Sequence, residues 1–68
     1  MRWQDRIVAT PDTLHGTPRF RGTRIAVSIV LENLAAGVTA AELHESYPTL
    51  PADAVPAALA YGEDLTRD

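Results

Sequence analysis

Leu34-Ala35-Ala36-Gly37-Val38-Thr39-Ala40-Ala41-Glu42 closes one helix and opens the next. Upstream of it, Val27, Val30, Leu31 and Leu34 recur at helical spacing, which predicts a first helix over 27–36. Gly37 follows as the stop, because glycine takes the left-handed backbone that ends a helix without a Cβ clash. Downstream, Thr39 and Glu42 have the spacing of a capping box. The hydroxyl accepts from the third helical N–H and the carboxylate returns to the cap's own N–H. A second helix therefore starts at Thr39, continues through Leu43 and Tyr47, and ends at Pro48. A third is expected from Pro51 or Ala52 to about Thr66, with Val55, Leu59, Gly62 and Leu65 as its inner face. Pro56 sits poorly in that frame. If Pro51 opens the helix, Pro56 falls in its interior, removes a hydrogen bond and kinks it, which moves the start toward Asp53.

Toward the amino terminus, Ile7-Val8-Ala9 reads as a short extended run closed by the turn residues Thr10-Pro11-Asp12. Thr17–Phe20 and Thr23–Ala26 flank Arg21-Gly22 and read as a tight hairpin, with Gly16 turning the chain ahead of it. Strands this short are weak alone, so pairing with a second copy is expected to support them. The expected fold is mainly α. A single domain spans 1–68, with an N-terminal β-hairpin arm over 1–26. A three-helix, helix-turn-helix-like unit (winged-helix or homeodomain-like) follows over 27–67.

The chain has 68 residues and no cysteine. A domain this small is marginal without staples or oligomerisation. Disulfides are excluded, and the two histidines, His15 and His44, are too far apart in sequence to suggest a metal cage. No metal and no cofactor are expected, and a homodimer or a stable partner is. The charged start, Met1 to Arg6, lacks the apolar core of a secretory signal. No apolar run approaches the roughly 20 residues of a membrane span. A cytoplasmic protein is the expectation.

Charge is divided along the chain. Residues 1–24 carry five arginines (Arg2, Arg6, Arg19, Arg21, Arg24) against Asp5 and Asp12, a net +3. Residues 25–68 carry Arg67 against seven acids, a net -6. Arginine's planar fork suits carboxylates and phosphates. Arg19, Arg21, Arg24 and Arg6 are thus the candidate partner- or phosphate-binding residues. Trp3, Ile7 and Phe20 are the candidate dimer or partner contacts. The third helix stands where a DNA-recognition helix would. It carries Asp53, Glu63, Asp64 and Asp68 against Arg67 alone, which repels phosphate and favours a packing or dimer helix. Asp12, His15 and Thr17 share one short loop and make no convergent catalytic set, so an enzyme is not expected.

An ordered set of short matches gives a resemblance. These are Gly16 and Pro18, Gly22-Thr23-Arg24-Ile25, Val27, Leu34-Ala35-Ala36-Gly37, Glu42-Leu43, Tyr47-Pro48-Thr49-Leu50, and Ala57-Ala58-Leu59-Ala60-Tyr61. Over about residues 7 to 62 the chain resembles the domain of unknown function 433 family. Pro51-Ala52 and Pro56 depart from that family's pattern, and no separate toxin-wrapping tail is expected after the third helix. The resemblance implies an antitoxin of a bacterial type II toxin–antitoxin pair. Such a protein neutralises a PIN-like ribonuclease toxin and represses its own operon as a dimer on operator DNA. The nuclease holds Mg²⁺ with acidic residues, so an arginine-rich hairpin suits its cleft. The alternative is a stand-alone DNA-binding transcriptional regulator, which requires salt-sensitive DNA binding by the isolated protein.

Overall fold

The computed structural model describes residues 2–67. A 3-10 turn at Trp3–Asp5 leads into strand β1, Ile7–Val8. After a loop, strand β2 at Arg19–Phe20 precedes helices α1 (Val27–Ala35), α2 (Ala40–Ser46) and α3 (Ala54–Thr66). The result is a small antiparallel sheet set on a three-helix body, as the helical periodicity and turn residues require.

The sheet differs in detail from the hairpin read around Arg21-Gly22. β2 pairs with β1, with Ile7 opposite Phe20 and Val8 opposite Arg19. The segment after Gly22 joins only by the single bridge Arg19–Ala26. β1 and β2 thus pair with each other within one chain. The sheet is also not a free arm. Ile7 is 6% exposed and Phe20 0%, both packed with Val27, Val30, Leu43 and Ala54. Placing Ile7 and Phe20 among the contact residues is therefore corrected, since their side chains fill this chain's own core.

The sheet also starts α1. Ala26 offers no side-chain cap. Instead the Val27 N–H donates to the Pro18 carbonyl at 3.0 Å, so strand backbone satisfies one of the helix's orphan donors. At the other end Gly37 has φ +92°. The Val38 N–H reaches the Asn33 carbonyl and the Gly37 N–H the Leu34 carbonyl, each at 3.0 Å, a paired closure that needs this backbone. α2 begins on the expected capping box. The Glu42 N–H donates to Thr39 Oγ1 at 3.2 Å, and Glu42 Oε1 accepts from the Thr39 N–H at 3.0 Å.

α3 starts at Ala54, with Asp53 before it. That resolves Pro56, which becomes the third helical residue, inside the first turn whose N–H groups have no intrahelical acceptor. The inner face, however, is Ala54, Ala57 and Ala58, each 0% exposed, with Tyr61 half-buried beyond them. Leu59 and Leu65 are 54% and 66% exposed, which corrects their assignment to that face. Small side chains let α3 lie close against the core that Phe20 and Val30 already fill, and a leucine at those positions would overfill it.

Candidate functional site

The arginines of the first third separate into those that hold the fold and those that do not. Arg6, just ahead of β1, points its Nε at Asp53, 2.9 Å from each carboxylate oxygen. This pair joins the sheet to the start of α3. Arg19 on β2 is half-buried. It donates from Nη1 to the Thr23 carbonyl at 3.0 Å and from Nη2 to Thr10 Oγ1 at 3.2 Å. Its Nε is buried without a hydrogen-bond acceptor. Arg19 is therefore a brace across the turn, which corrects its expected role as a freely presented binding group.

The turn it braces is Phe20-Arg21-Gly22-Thr23. The Thr23 N–H donates to the Phe20 carbonyl at 3.0 Å, and Gly22 at the third position has φ +79°. That pairing of hydrogen bond and angle is a type II turn, which asks for glycine there. Thr23 Oγ1 donates to the Phe20 carbonyl at 2.8 Å and accepts from the Ile25 N–H at 3.0 Å. Glycine and threonine of the Gly22-Thr23-Arg24 motif thus shape the backbone. Arg24 has no such duty. Its side chain is exposed and forms no salt bridge among the described residues. Arg21 is exposed too, with its Nε 3.2 Å from the Asp5 carbonyl. The turn therefore presents two guanidinium groups, Arg21 and Arg24, on a braced loop.

Two concavities bearing charged side chains flank the turn. One, about 540 Å³ and wide open, is lined by Asp5, Arg6, Arg21, Pro51, Ala52 and Asp53, so its cations and carboxylates balance. The other, about 270 Å³, is lined by Thr13, Arg19, Gly22, Thr23 and Arg24, with no carboxylate among them. Thr13 enters because the loop before β2 folds back on itself. Leu14 and His15 have φ of +50° and +53°, ahead of Gly16 at +82°. Left-handed backbone at leucine is uncommon and costs energy that the surroundings must supply.

Trp3 packs edge-on against Tyr61, ring centroids 5.0 Å apart at 82°, and its Nε1–H donates to Asp64. One side of this indole is thus engaged within the chain, and it remains half-buried. A separate apolar groove of about 240 Å³ lies where α3 overhangs the core, lined by Pro18, Val27, Leu31, Tyr61 and Leu65 together with Thr17 and Ser28. Among the described residues no group of three or more His, Cys, Asp or Glu is placed to hold a metal ion.

Asp53, Thr10 and Thr13 were missed in the sequence. The first two are the partners of Arg6 and Arg19; the β1–β2 register brings Thr10 near Arg19, and the packing of α3 against the Trp3–Asp5 turn brings Asp53 near Arg6. Nothing in local spacing signals a contact across 47 residues.

The family model described as a protein of unknown function (DUF433) matches residues 7–62, most of the chain. The chain belongs to the DUF433 family. A crystal structure of a DUF433 member from Anabaena variabilis superposes with a TM-score of 0.80 at 36% identity, covering 90% of this chain and 60% of that one. The curated protein y4eO of Sinorhizobium fredii, described as uncharacterized, is 39% identical over 57 residues, which is 84% of this chain. This DUF433 chain spans 26% of y4eO's length, so y4eO carries further sequence beyond the shared domain. Among the described residues no helix is long and apolar enough to cross a membrane.

Proposed function

We propose that this DUF433 chain is a protein-binding module of the antitoxin class, one that neutralises a PIN-like ribonuclease toxin by presenting its β2–α1 turn to the acidic cleft. The observation that carries the reading is Arg21 and Arg24 standing exposed on a turn held rigid by Arg19, Gly22 and Thr23. A turn backbone already held in place loses little freedom on binding. A cleft that gathers carboxylates around Mg²⁺ is complementary to them. Exposed Leu65, at the rim of an apolar groove, supports pairing of two copies, or of one copy and the toxin body.

The DNA-binding alternative has less support. α3 carries Glu63 and Asp64 exposed near its end, with Arg67 already paired to Glu63 at 3.0 Å. Operator binding is therefore proposed only for the complex, where the toxin supplies positive charge.

The test is inhibition of a PIN-like ribonuclease, taken from the neighbouring reading frame where one is encoded there. The wild-type chain should abolish its RNA cleavage at equimolar ratio, and the Arg21→Ala/Arg24→Ala double variant should need at least about tenfold more protein. Undiminished inhibition by the double variant removes the mechanism, and absence of inhibition by the wild type removes the antitoxin reading.

A further inference from the structure

We propose that the concavity beside the β2–α1 turn is a carboxylate-binding site, taking one acidic side chain of a protein partner on Arg24 and Thr13. The proposal rests on the protein-binding reading above and gives it a specific chemical contact.

Four observations lead there. First, the lining is one-signed. Thr13, Arg19, Gly22, Thr23 and Arg24 line a shallow, open concavity of about 270 Å³ with two guanidinium groups and no carboxylate. The neighbouring concavity, by contrast, carries Asp5 and Asp53 to offset Arg6 and Arg21. A concave surface with uncompensated charge concentrates its field on whatever enters.

Second, Arg24 is the one member of Gly22-Thr23-Arg24 to which the turn assigns no duty. Thr23 is engaged at both ends of its hydroxyl, and Gly22 supplies the φ of +79°. Arg24 stays exposed and unpaired among the described residues. Its fork can meet a carboxylate with two parallel hydrogen bonds.

Third, the floor is rigid. Arg19 is fixed by Thr23 and Thr10, and its buried Nε–H lacks an acceptor, so it adds positive potential without having to move. Thr13 is set into the lining by a loop that keeps Leu14 and His15 in left-handed backbone. Strain of this kind is retained where the surrounding structure over-determines it.

Fourth, charge at longer range selects the ligand's source. Residues 25–68 carry a net -6. A nucleic acid, whose phosphates extend beyond a single site, meets repulsion from that acidic segment. A single carboxylate on a folded partner needs only the concavity.

The experiment follows amide and guanidinium Nε–H shifts of the full ¹⁵N-labelled chain during titration with an oligoglutamate peptide at fixed ionic strength. Saturable shifts are expected at Thr13, Gly22, Thr23 and Arg24. Arg24→Gln should weaken them by about tenfold, and Arg2→Gln, an exposed arginine outside the concavity, should leave them unchanged. No saturable shift at these residues, or the same affinity in Arg24→Gln, overturns the site. A single-stranded DNA oligonucleotide of equal charge serves as the competing arm. Tighter binding of the oligonucleotide at the same amides overturns the carboxylate assignment in favour of phosphate. Because no nuclease is present, failure here is distinct from failure of the antitoxin reading, which the cleavage assay decides separately.

Discussion

Arg6 and Asp53, 47 residues apart, are joined through one nitrogen that lies 2.9 Å from both oxygens of the carboxylate. The pair ties the start of β1 to the start of α3, with side chains 44% and 31% exposed. Exposure at this level weakens the attraction. A double-mutant cycle on Arg6→Ala and Asp53→Ala in urea should give a coupling of about 0.2–1 kcal/mol that shrinks with added salt. A coupling well above that range, insensitive to salt, would contradict the solvent-screened geometry.

Phe20 and Leu65 should respond oppositely to truncation. Phe20 is 0% exposed, and Phe20→Ala should cost about 3–5 kcal/mol. That is comparable to everything a core of this size supplies. Circular dichroism should find the variant largely unfolded at ambient temperature. Leu65→Ser, at a side chain 66% exposed, should melt within a few degrees of wild type. A folded Phe20→Ala protein would mean the sheet does not seat on the helices as described.

Pro56 tests where α3 begins. As the third helical residue it disturbs no intrahelical hydrogen bond, and it limits the freedom of the unfolded chain. Pro56→Ala should therefore be near neutral, or destabilising by less than about 1 kcal/mol. Were the helix to start at Pro51, the same change would relieve an interior proline and stabilise by about 3 kcal/mol. Denaturation midpoints separate the two.

The box at the head of α2 should give stability an acid dependence. Thr39→Ala should cost about 1 kcal/mol at neutral pH. Glu42's carboxylate is held below the ordinary glutamate pKa, first by the Thr39 N–H and then by the Thr39 hydroxyl, against a smaller opposing effect of desolvation. A depressed folded pKa means the contribution is present above the unfolded value of about 4.3 and is lost as pH falls through the folded one. Glu42→Gln should flatten that part of the profile. An unchanged acid limb in Glu42→Gln would assign it to other carboxylates.

Arg19 and Arg24 separate structure from binding. Arg19→Ala removes the donors to Thr23 and Thr10 and should destabilise by about 1–3 kcal/mol. Arg24→Ala should stay within about 0.5 kcal/mol of wild type. Equal losses would show that Arg24 also braces the turn.

What was legible in the sequence was local. Thr39-Ala40-Ala41-Glu42 and Gly37 named their own backbone geometry, because a capping box and a left-handed stop depend on neighbours within one turn. The inner face of α3 was not legible. Two stripes at helical spacing run along it, and the spacing Val55, Leu59, Gly62, Leu65 was as regular as the alanine stripe that is actually buried. The close approach that selects Ala54, Ala57 and Ala58 is set by α1 and the rest of the core, which are distant in sequence. The arginines pose the same difficulty. Composition marked Arg6, Arg19, Arg21 and Arg24 alike, while long-range pairing assigned the first to Asp53 and the second to Thr10 and Thr23. Only Arg21 and Arg24 were left outward, and Thr13 joined Arg24 through a loop whose conformation the residues 10–16 do not announce.

The contact of Trp3 with Tyr61 leaves the protein with an internal optical gauge. The chain has a single tryptophan, and its ring meets the last turns of α3 edge-on at 5.0 Å. Emission from that one indole therefore registers whether the leading residues are docked, with no label attached. Undocking of the leading residues from α3 can thus be followed by fluorescence before any resonance is assigned.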